Sequence, residues 1–248
     1  MKRVLFISDL HLSEERPETT RAFRAFVAGP ARNAGALYIL GDLLEYWAGD
    51  DDVEAPLAAS VCAALAGLAE QGVSIYFMGG NRDFLVGEGF AARARFSLLA
   101  DPSEIRLGDR RVLLSHGDAL CTDDVGYQAY RRQVRDPQWL QGFLARPLAE
   151  RKAFIDNLRK QSALAKQGKS EGIMDVNREA VEALLRAHRH PLLIHGHTHR
   201  PARHLHLVDG RECERWVLAD WDDSAPYLEW NGSTLVAHRY RPAPPAQA

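Results

Sequence analysis

The sequence predicts an α/β protein built on a β-sheet that is covered on both faces. Short apolar runs alternate with helix-length segments through the first half of the chain, the pattern of strands joined by crossover helices. Five apolar runs end in residues able to hold a metal ion: Asp9 with His11, Asp42, Asn81, His116, and His195 with His197. In such sheets ligands collect beyond the carboxyl ends of the strands. The 248 residues, 46% hydrophobic and 26% charged, are ample for a sizeable core.

Val4 to Ile7 is apolar without helical spacing and is expected to be a buried strand. It runs into Ser8-Asp9-Leu10-His11, where an extended exit points Asp9 and His11 to one side. Standing alone, an Asp after a strand is more often the cap of the next helix. Residues 18–33 are expected to form a helix with Phe23, Phe26 and Val27 on one face, and Ala36 to Leu40 a second strand stopping at Gly41-Asp42. The acid run Asp50-Asp51-Asp52 could bind a cation but reads better as a solvated loop. Residues 54–71 look helical, Val73 to Met78 is a third strand ending in Gly79-Gly80-Asn81-Arg82-Asp83, and 84–95 is another helix. An Asn after two glycines is ordinarily a turn residue. Ile105 to Leu114 reads as a hairpin turning at Gly108-Asp109, and its second strand ends in Ser115-His116-Gly117-Asp118.

The run Leu192 to Ile194 leads into His195-Gly196-His197-Thr198-His199-Arg200-Pro201. Histidines at alternate positions, His195 and His197, are expected to reach one place, with Gly196 letting the backbone come close. His199 is either support behind the metal ligands or a solvent-exposed neighbour. Beyond Pro201 the chain turns β-rich: Arg203 to Leu207, Trp216 to Leu218 after a turn at Asp209-Gly210, and two strands flanking Asn231-Gly232. These are expected to complete a second sheet. His204, His206 and His238 are expected on strand surfaces, and His188 and His190 at a helix end.

A net charge of −2 argues against a globally basic nucleic-acid binder. No obligate protein partner is evident. Cys62, Cys121 and Cys213 are odd in number and scattered, which fits a reducing compartment. The first acid, Asp9, comes too soon for a signal peptide, and no apolar run approaches a membrane span, so a cytoplasmic protein is expected. The tail, residues 241–248, looks unstructured.

Each strand ending has an ordinary explanation by itself, but coincidence at five strand ends does not. Seven ligands exceed the needs of one zinc and suit two metals spaced roughly 3.5–4 Å apart with a bridging carboxylate. The mixed O/N set suits Mn, Fe, Co or Zn better than Mg alone. Such a pair clamps phosphoryl oxygens and supports in-line attack on phosphorus.

The five blocks Asp9-x-His11, Gly41-Asp42, Gly80-Asn81-Arg82-Asp83, His116-Gly117-Asp118 and Gly196-His197-Thr198-His199 resemble, in order and spacing, the calcineurin-like metallophosphoesterases. The resemblance implies a four-layer α/β/β/α sandwich, a single domain over 1–248. It implies that Asp9, His11 and His197 hold one metal, that Asn81, His116 and His195 hold the other, and that Asp42 bridges them. Many members have His after the Asn of the third block, to assist a poor leaving group; here the position is Arg82. Arginine cannot usefully give up a proton but grips phosphate oxygens bidentately. A leaving group needing no proton is a phosphate, which points to a pyrophosphate substrate. Arg82 could otherwise be only an ion-pair partner.

Further stretches, among them Gly49-Asp-Asp-Asp52, Leu120-Cys-Thr-Asp-Asp124 and Ile173-Met-Asp-Val-Asn177, are similar to the UDP-2,3-diacylglucosamine diphosphatases of Gram-negative lipid A synthesis. That resemblance implies water attack on the α-phosphorus, giving UMP and 2,3-diacylglucosamine 1-phosphate, with two divalent ions, most simply Mn²⁺. It implies catalytic roles for Asp42 and Arg82, and substrate contacts from Asn81, Arg82, Asp124, Ser162, Lys166, Lys169 and His195. The subfamily more usually has Asn where this chain has Lys166. Residues 120–172 gain meaning from it. Between Tyr127 and Ser170 lie ten Lys/Arg against three Asp/Glu, interleaved with Trp139, Leu140, Phe143, Leu144, Leu148, Phe154, Ile155 and Leu158 at helical spacings. The stretch is either a helical hairpin packed on the core or a basic, apolar lid that receives acyl chains and rests on the anionic inner membrane. Another two-metal phosphodiesterase, a nuclease or a dinucleoside-polyphosphate hydrolase would fit the ligands but leave the apolar face without a purpose. A non-enzymatic scaffold should have lost ligands, and none of the seven is missing.

Overall fold

The computed structural model describes residues 2–166 and 175–243, with the side chains of 161–166 excepted. The strands are β1 (Arg3–Ile7), β2 (Ala34–Leu40), β3 (Ser74–Met78), β4 (Ser97–Leu99), β5 (Ser103–Leu107), β6 (Arg110–Ser115), β7 (Leu192–His195), β8 (Ala202–Val208), β9 (Arg211–Val217), β10 (Ala225–Trp230) and β11 (Leu235–Tyr240). The helices are α1 (Pro17–Ala28), α2 (Pro56–Glu70), α3 (Glu88–Ala94), α4 (Val125–Val134), α5 (Pro137–Leu144), α6 (Leu148–Lys166) and α7 (Arg178–Ala187).

Side-chain alternation along the strands builds four layers. Leu5, Ile7, Leu37, Ile39, Ile75 and Phe77 face α1, α2 and α3, where they meet Phe23, Phe26, Leu65 and Phe90. The alternate residues Phe6, Leu40 and Met78 face inward and meet Val112, Leu114 and Ile194 of the second sheet. The outer face of that sheet, through Leu113 and Leu193, is covered by Val181 and Leu185 of α7. The expected α/β/β/α sandwich is therefore formed. One sheet runs β11-β10-β1-β2-β3-β4 and the other β5-β6-β7-β9-β8.

Three elements differ from expectation. The predicted helix 18–33 ends at Ala28, because Gly29 and Pro30 break it and a short 3₁₀ turn follows. Ser97–Leu99 forms an edge strand too short to show a pattern in the sequence. The hairpin β10/β11 does not complete the second sheet but pairs antiparallel with β1 of the first. Only β8 and β9 extend the second sheet.

The insert between β6 and α7 consists of α4, α5 and α6, and it is fastened to the core by charge. Arg151 is buried and bonds Asp51 and the carbonyl of Ala48. Lys152 lies 2.7 Å from Asp52. Arg131 lies 2.8 Å and Arg135 3.6 Å from the buried Asp118. The acid run, expected as a solvated loop, is thus only partly solvated and is engaged in holding neighbouring elements. Asp50 accepts from Trp47 Nε1 and from the N–H groups of Gly87 and Phe90 at the start of α3, while Asp51 and Asp52 clasp α6. Among the described residues of the basic stretch, Arg131, Arg135, Arg151, Lys152 and Arg159 are engaged within the protein. Among the described residues no helix is long and apolar enough to cross a membrane.

Candidate metal centre

The loops leaving β1, β2, β3, β6 and β7 converge at one edge of the sandwich. The β1 and β2 loops are tied together by Asp9 N–H to Gly41 O at 3.1 Å and His11 N–H to Asp42 O at 2.9 Å. The exits are not extended. Asp9, His11, Asp42, His197 and His199 all have positive φ, between 50° and 68°. Five non-glycine residues in the left-handed region cluster at one place, where such strain usually marks function. A Cβ on Gly196 would collide with Asp9 and Ser8, so only glycine lets this backbone approach.

Asp83 organises two of the loops. Its Oδ1 accepts from Asp42 N (3.1 Å) and Gly80 N (2.8 Å), and its Oδ2 from Leu43 N (2.7 Å) and Leu44 N (3.2 Å). Burial and the charge of Asp42 push Asp83 up to about 6 against these donors.

The donor atoms form two groups about Asp42. In the first, His199 Nε2 lies 3.3 Å from both Asp9 Oδ1 and His11 Nε2. In the second, Asn81 Oδ1 lies 3.0 Å from His116 Nε2 and 2.8 Å from His197 Nδ1. Asp42 stands between them, Oδ2 3.8 Å from His11 Nε2 and Oδ1 3.8 Å from His116 Nε2. One carboxylate oxygen towards each group is the arrangement of a bridging ligand.

The expected partner His195 is elsewhere. It is the last residue of β7, two positions from Leu193, so its ring shares that residue's outward face. Its Nδ1 lies 2.9 Å from Gly196 O and its Nε2 3.0 Å from Arg215 Nη1. Both ring nitrogens are taken, and His199 supplies the imidazole that His195 was expected to supply. The spacing of two is shared by His197 and His199. The sign that separates the pairs, the parity of His195 with the apolar residues of its strand, is readable in the sequence.

Electrostatics suit a cation. Burial would raise Asp9, but His199, His116 and His11 hold it well below the usual carboxylate range. Burial would lower His116, but Asp42, Asp118 and Asp9 raise it to about 9. His199 is likewise raised to about 10 by Asp220 and Asp9 against burial. Carboxylates that keep protons on these imidazoles mark a place where positive charge is favoured. Asp9, His11 and His199, and Asp9, Asp42 and His116, bring their donor atoms within ligand-sharing reach. Oxygen and imidazole donors without thiolate fit Mn, Fe, Co or Zn. The residues present therefore fit a divalent pair. His116 Nδ1 is 2.8 Å from the carbonyl of Leu40, the kind of outer contact that orients a ligating ring. Glu45 is placed similarly, 3.0 Å from His11 Nδ1 though off the line of an ideal hydrogen bond.

Asn81, His11, Asp42 and His197 open into a cavity of about 470 Å³. Arg82 lines it, with one guanidinium nitrogen 3.7 Å from Glu45 and its Nε without a hydrogen-bond partner. Arg82 is thus ion-paired with Glu45 and also faces the cavity. The far wall is apolar: Trp139, Phe143, Phe154, Ile155 and Leu158 of the insert, with Phe84. Asp124 also lines the cavity and caps α4 through Tyr127 N at 3.1 Å. The side chains of Ser162 and Lys166, and all of Lys169, lie outside the described residues. His206, expected on a strand surface, is buried against Arg215.

The family model of calcineurin-like phosphoesterases matches residues 2–201. The chain belongs to the calcineurin-like phosphoesterase family. The match spans every loop of the metal centre and the whole helical insert. Among curated proteins of this family, one from Aromatoleum aromaticum named UDP-2,3-diacylglucosamine hydrolase is 65% identical, over 92% of this chain and 93% of its own. Proteins of the same name from Marinobacter nauticus (49%, over 96% and 97%) and Aeromonas hydrophila (50%, over 90% and 92%) are also similar.

Proposed function

We propose that this phosphoesterase hydrolyses the pyrophosphate of UDP-2,3-diacylglucosamine, with water attacking the α-phosphorus, to give UMP and 2,3-diacylglucosamine 1-phosphate. One observation carries the reading: a single cavity joins the metal centre and Arg82 at one end to an aromatic and aliphatic wall at the other. A substrate with a charged diphosphate and two acyl chains needs both ends. A hydrophilic nucleotide needs only the first. The names of the relatives point the same way.

Two divalent ions, most simply Mn²⁺, belong in this reading. Asp9, His11 and His199 would hold one and Asn81, His116 and His197 the other, with Asp42 between the two groups. When bound, such ions polarise phosphoryl oxygens and activate water. Arg82 grips the diphosphate oxygens, and its permanent charge suits a phosphate leaving group that needs no proton. Tyr127 and Tyr130 of α4 line the same cavity. The insert acts as a lid whose apolar wall takes the acyl chains. Ser162, Lys166 and Lys169 belong to this insert and remain candidate substrate contacts.

Delivery of a diacylated substrate implies peripheral contact with the cytoplasmic face of the inner membrane. Flotation with anionic vesicles at low salt tests this; absence of binding would refute it. The reaction is tested by product analysis in ¹⁸O-labelled water with Mn²⁺. Label in UMP is expected. Label in the sugar phosphate would overturn the point of attack, and turnover of phosphodiesters alone would overturn the substrate.

A further inference from the structure

Arg215 is a buried cation on β9 that the site as described does not use. Among the described residues its hydrogen-bond partners are two imidazoles: Nε lies 3.1 Å from His206 Nε2, and Nη1 3.0 Å from His195 Nε2. A guanidinium only donates. Both Nε2 atoms must therefore present lone pairs, and both rings must be neutral.

A neutral imidazole with its lone pair on Nε2 carries its hydrogen on Nδ1. His195 Nδ1 lies 2.9 Å from Gly196 O and so donates to it. The peptide that follows this carbonyl carries His197 N–H, which donates to Asp9 Oδ1 at 3.1 Å and Oδ2 at 2.9 Å. One peptide thus has its carbonyl held by His195 and its N–H holding Asp9. It belongs to the residue whose ring meets Asn81. In the opposite tautomer two lone pairs would face each other across His195 Nδ1 and Gly196 O, and the peptide would lose its anchor.

We propose that Arg215 is a positioning residue for the metal centre: by donating to His195 Nε2 it imposes the Nδ1–H tautomer, and that N–H fixes the Gly196–His197 peptide so that Asp9 and His197 are aimed at the ions. The proposal rests on the metal reading of the site. It also explains why a histidine that is no ligand stands at the end of β7.

The test combines imidazole ¹⁵N spectra of the metal-free protein with Mn²⁺ titration calorimetry, for the wild type, Arg215→Lys and Arg215→Met. In the wild type, His195 is expected to show a protonated Nδ1 and a bare Nε2. Arg215→Met is expected to lose that pattern and to bind Mn²⁺ about 10–100-fold more weakly, the usual effect of removing an outer contact of a metal site. Arg215→Lys keeps a donor and is expected to restore both. A wild-type spectrum showing Nε2–H overturns the proposal even if the Met variant does not fold. So does a folded Met variant with unchanged Mn²⁺ affinity, which leaves the metal reading intact. A wild type that binds no Mn²⁺ removes the metal reading and this proposal together.

Discussion

Asp83→Asn is the sharpest perturbation of the scaffold beneath the metal centre. The two side chains have nearly the same shape, so no cavity forms. The difference is chemical. Each oxygen of Asp83 accepts from two backbone N–H groups: Asp42 and Gly80 on Oδ1, Leu43 and Leu44 on Oδ2. An amide must place its NH₂ against one pair, whichever way it is turned. Two buried N–H donors then face a donor instead of an acceptor. At about 1–3 kcal/mol for each unsatisfied buried group, the loss is about 2–6 kcal/mol. That is a large part of the roughly 5–15 kcal/mol by which domains are stable. Urea unfolding of metal-free wild type and variant measures it, as a shift in midpoint at unchanged slope. A loss below about 1 kcal/mol would show that these four bonds do not hold the loops as argued.

Three further outcomes follow from the geometry. His199→Ala is expected to show one Mn²⁺ site per chain by titration calorimetry, and His195→Ala two sites of lowered affinity, as in Arg215→Met; two sites in His199→Ala and one in His195→Ala would restore the ligand set expected from sequence. Mn²⁺ affinity is expected to rise with pH between about 6.5 and 8.5, up to about tenfold per unit for each displaced proton. The sign follows because His116 and His199, raised to about 9 and about 10, are protonated in the metal-free site and must lose protons to bind. Titration calorimetry in buffers of different ionisation enthalpy checks this, and affinity independent of pH would refute it. Arg151→Ala strips Ala48 O, Arg146 O and Asp51 of their partner. Because Asp51 is half exposed and can be rehydrated, a cost of about 1–3 kcal/mol is expected. It should appear as faster proteolysis within 125–166, with the sheets still protected; unchanged cleavage would mean that the clasp does not hold the insert.

The strands and most of the candidate site were legible before folding, for identifiable reasons. Apolar runs such as Val4 to Ile7 mark buried strands, but which face of β1 meets helices and which meets the second sheet shows only in the packing of Leu5 and Ile7 against one layer and Phe6 against the other. Asp9, His11, Asp42, Asn81 and His116 stand at strand ends, which a parallel sheet gathers at one edge. The apolar face of the insert shows in the spacing of Trp139, Phe143 and Phe154.

By itself, then, the sequence determined the alternation of strands and helices, the strand ends at which the donors gather and the kinds of donor found there, because periodicity and strand endings are local properties; the four layers came only with the family resemblance. Tertiary structure decided what depends on partners distant in the chain. It exchanged His195 for His199, since the strand carries His195 to the outer face, where Arg215 of β9 receives it. It returned β10 and β11 to the first sheet, because pairing of β10 with β1 is set by long-range packing and not by the hairpin turn. It set Arg131, Arg151, Lys152 and Arg159 of the basic stretch against Asp118, Asp51, Asp52 and Glu45, turning charge that reads as a surface into the fastening of the insert. A charge count knows the residues, but only the fold shows which opposite charge each one meets.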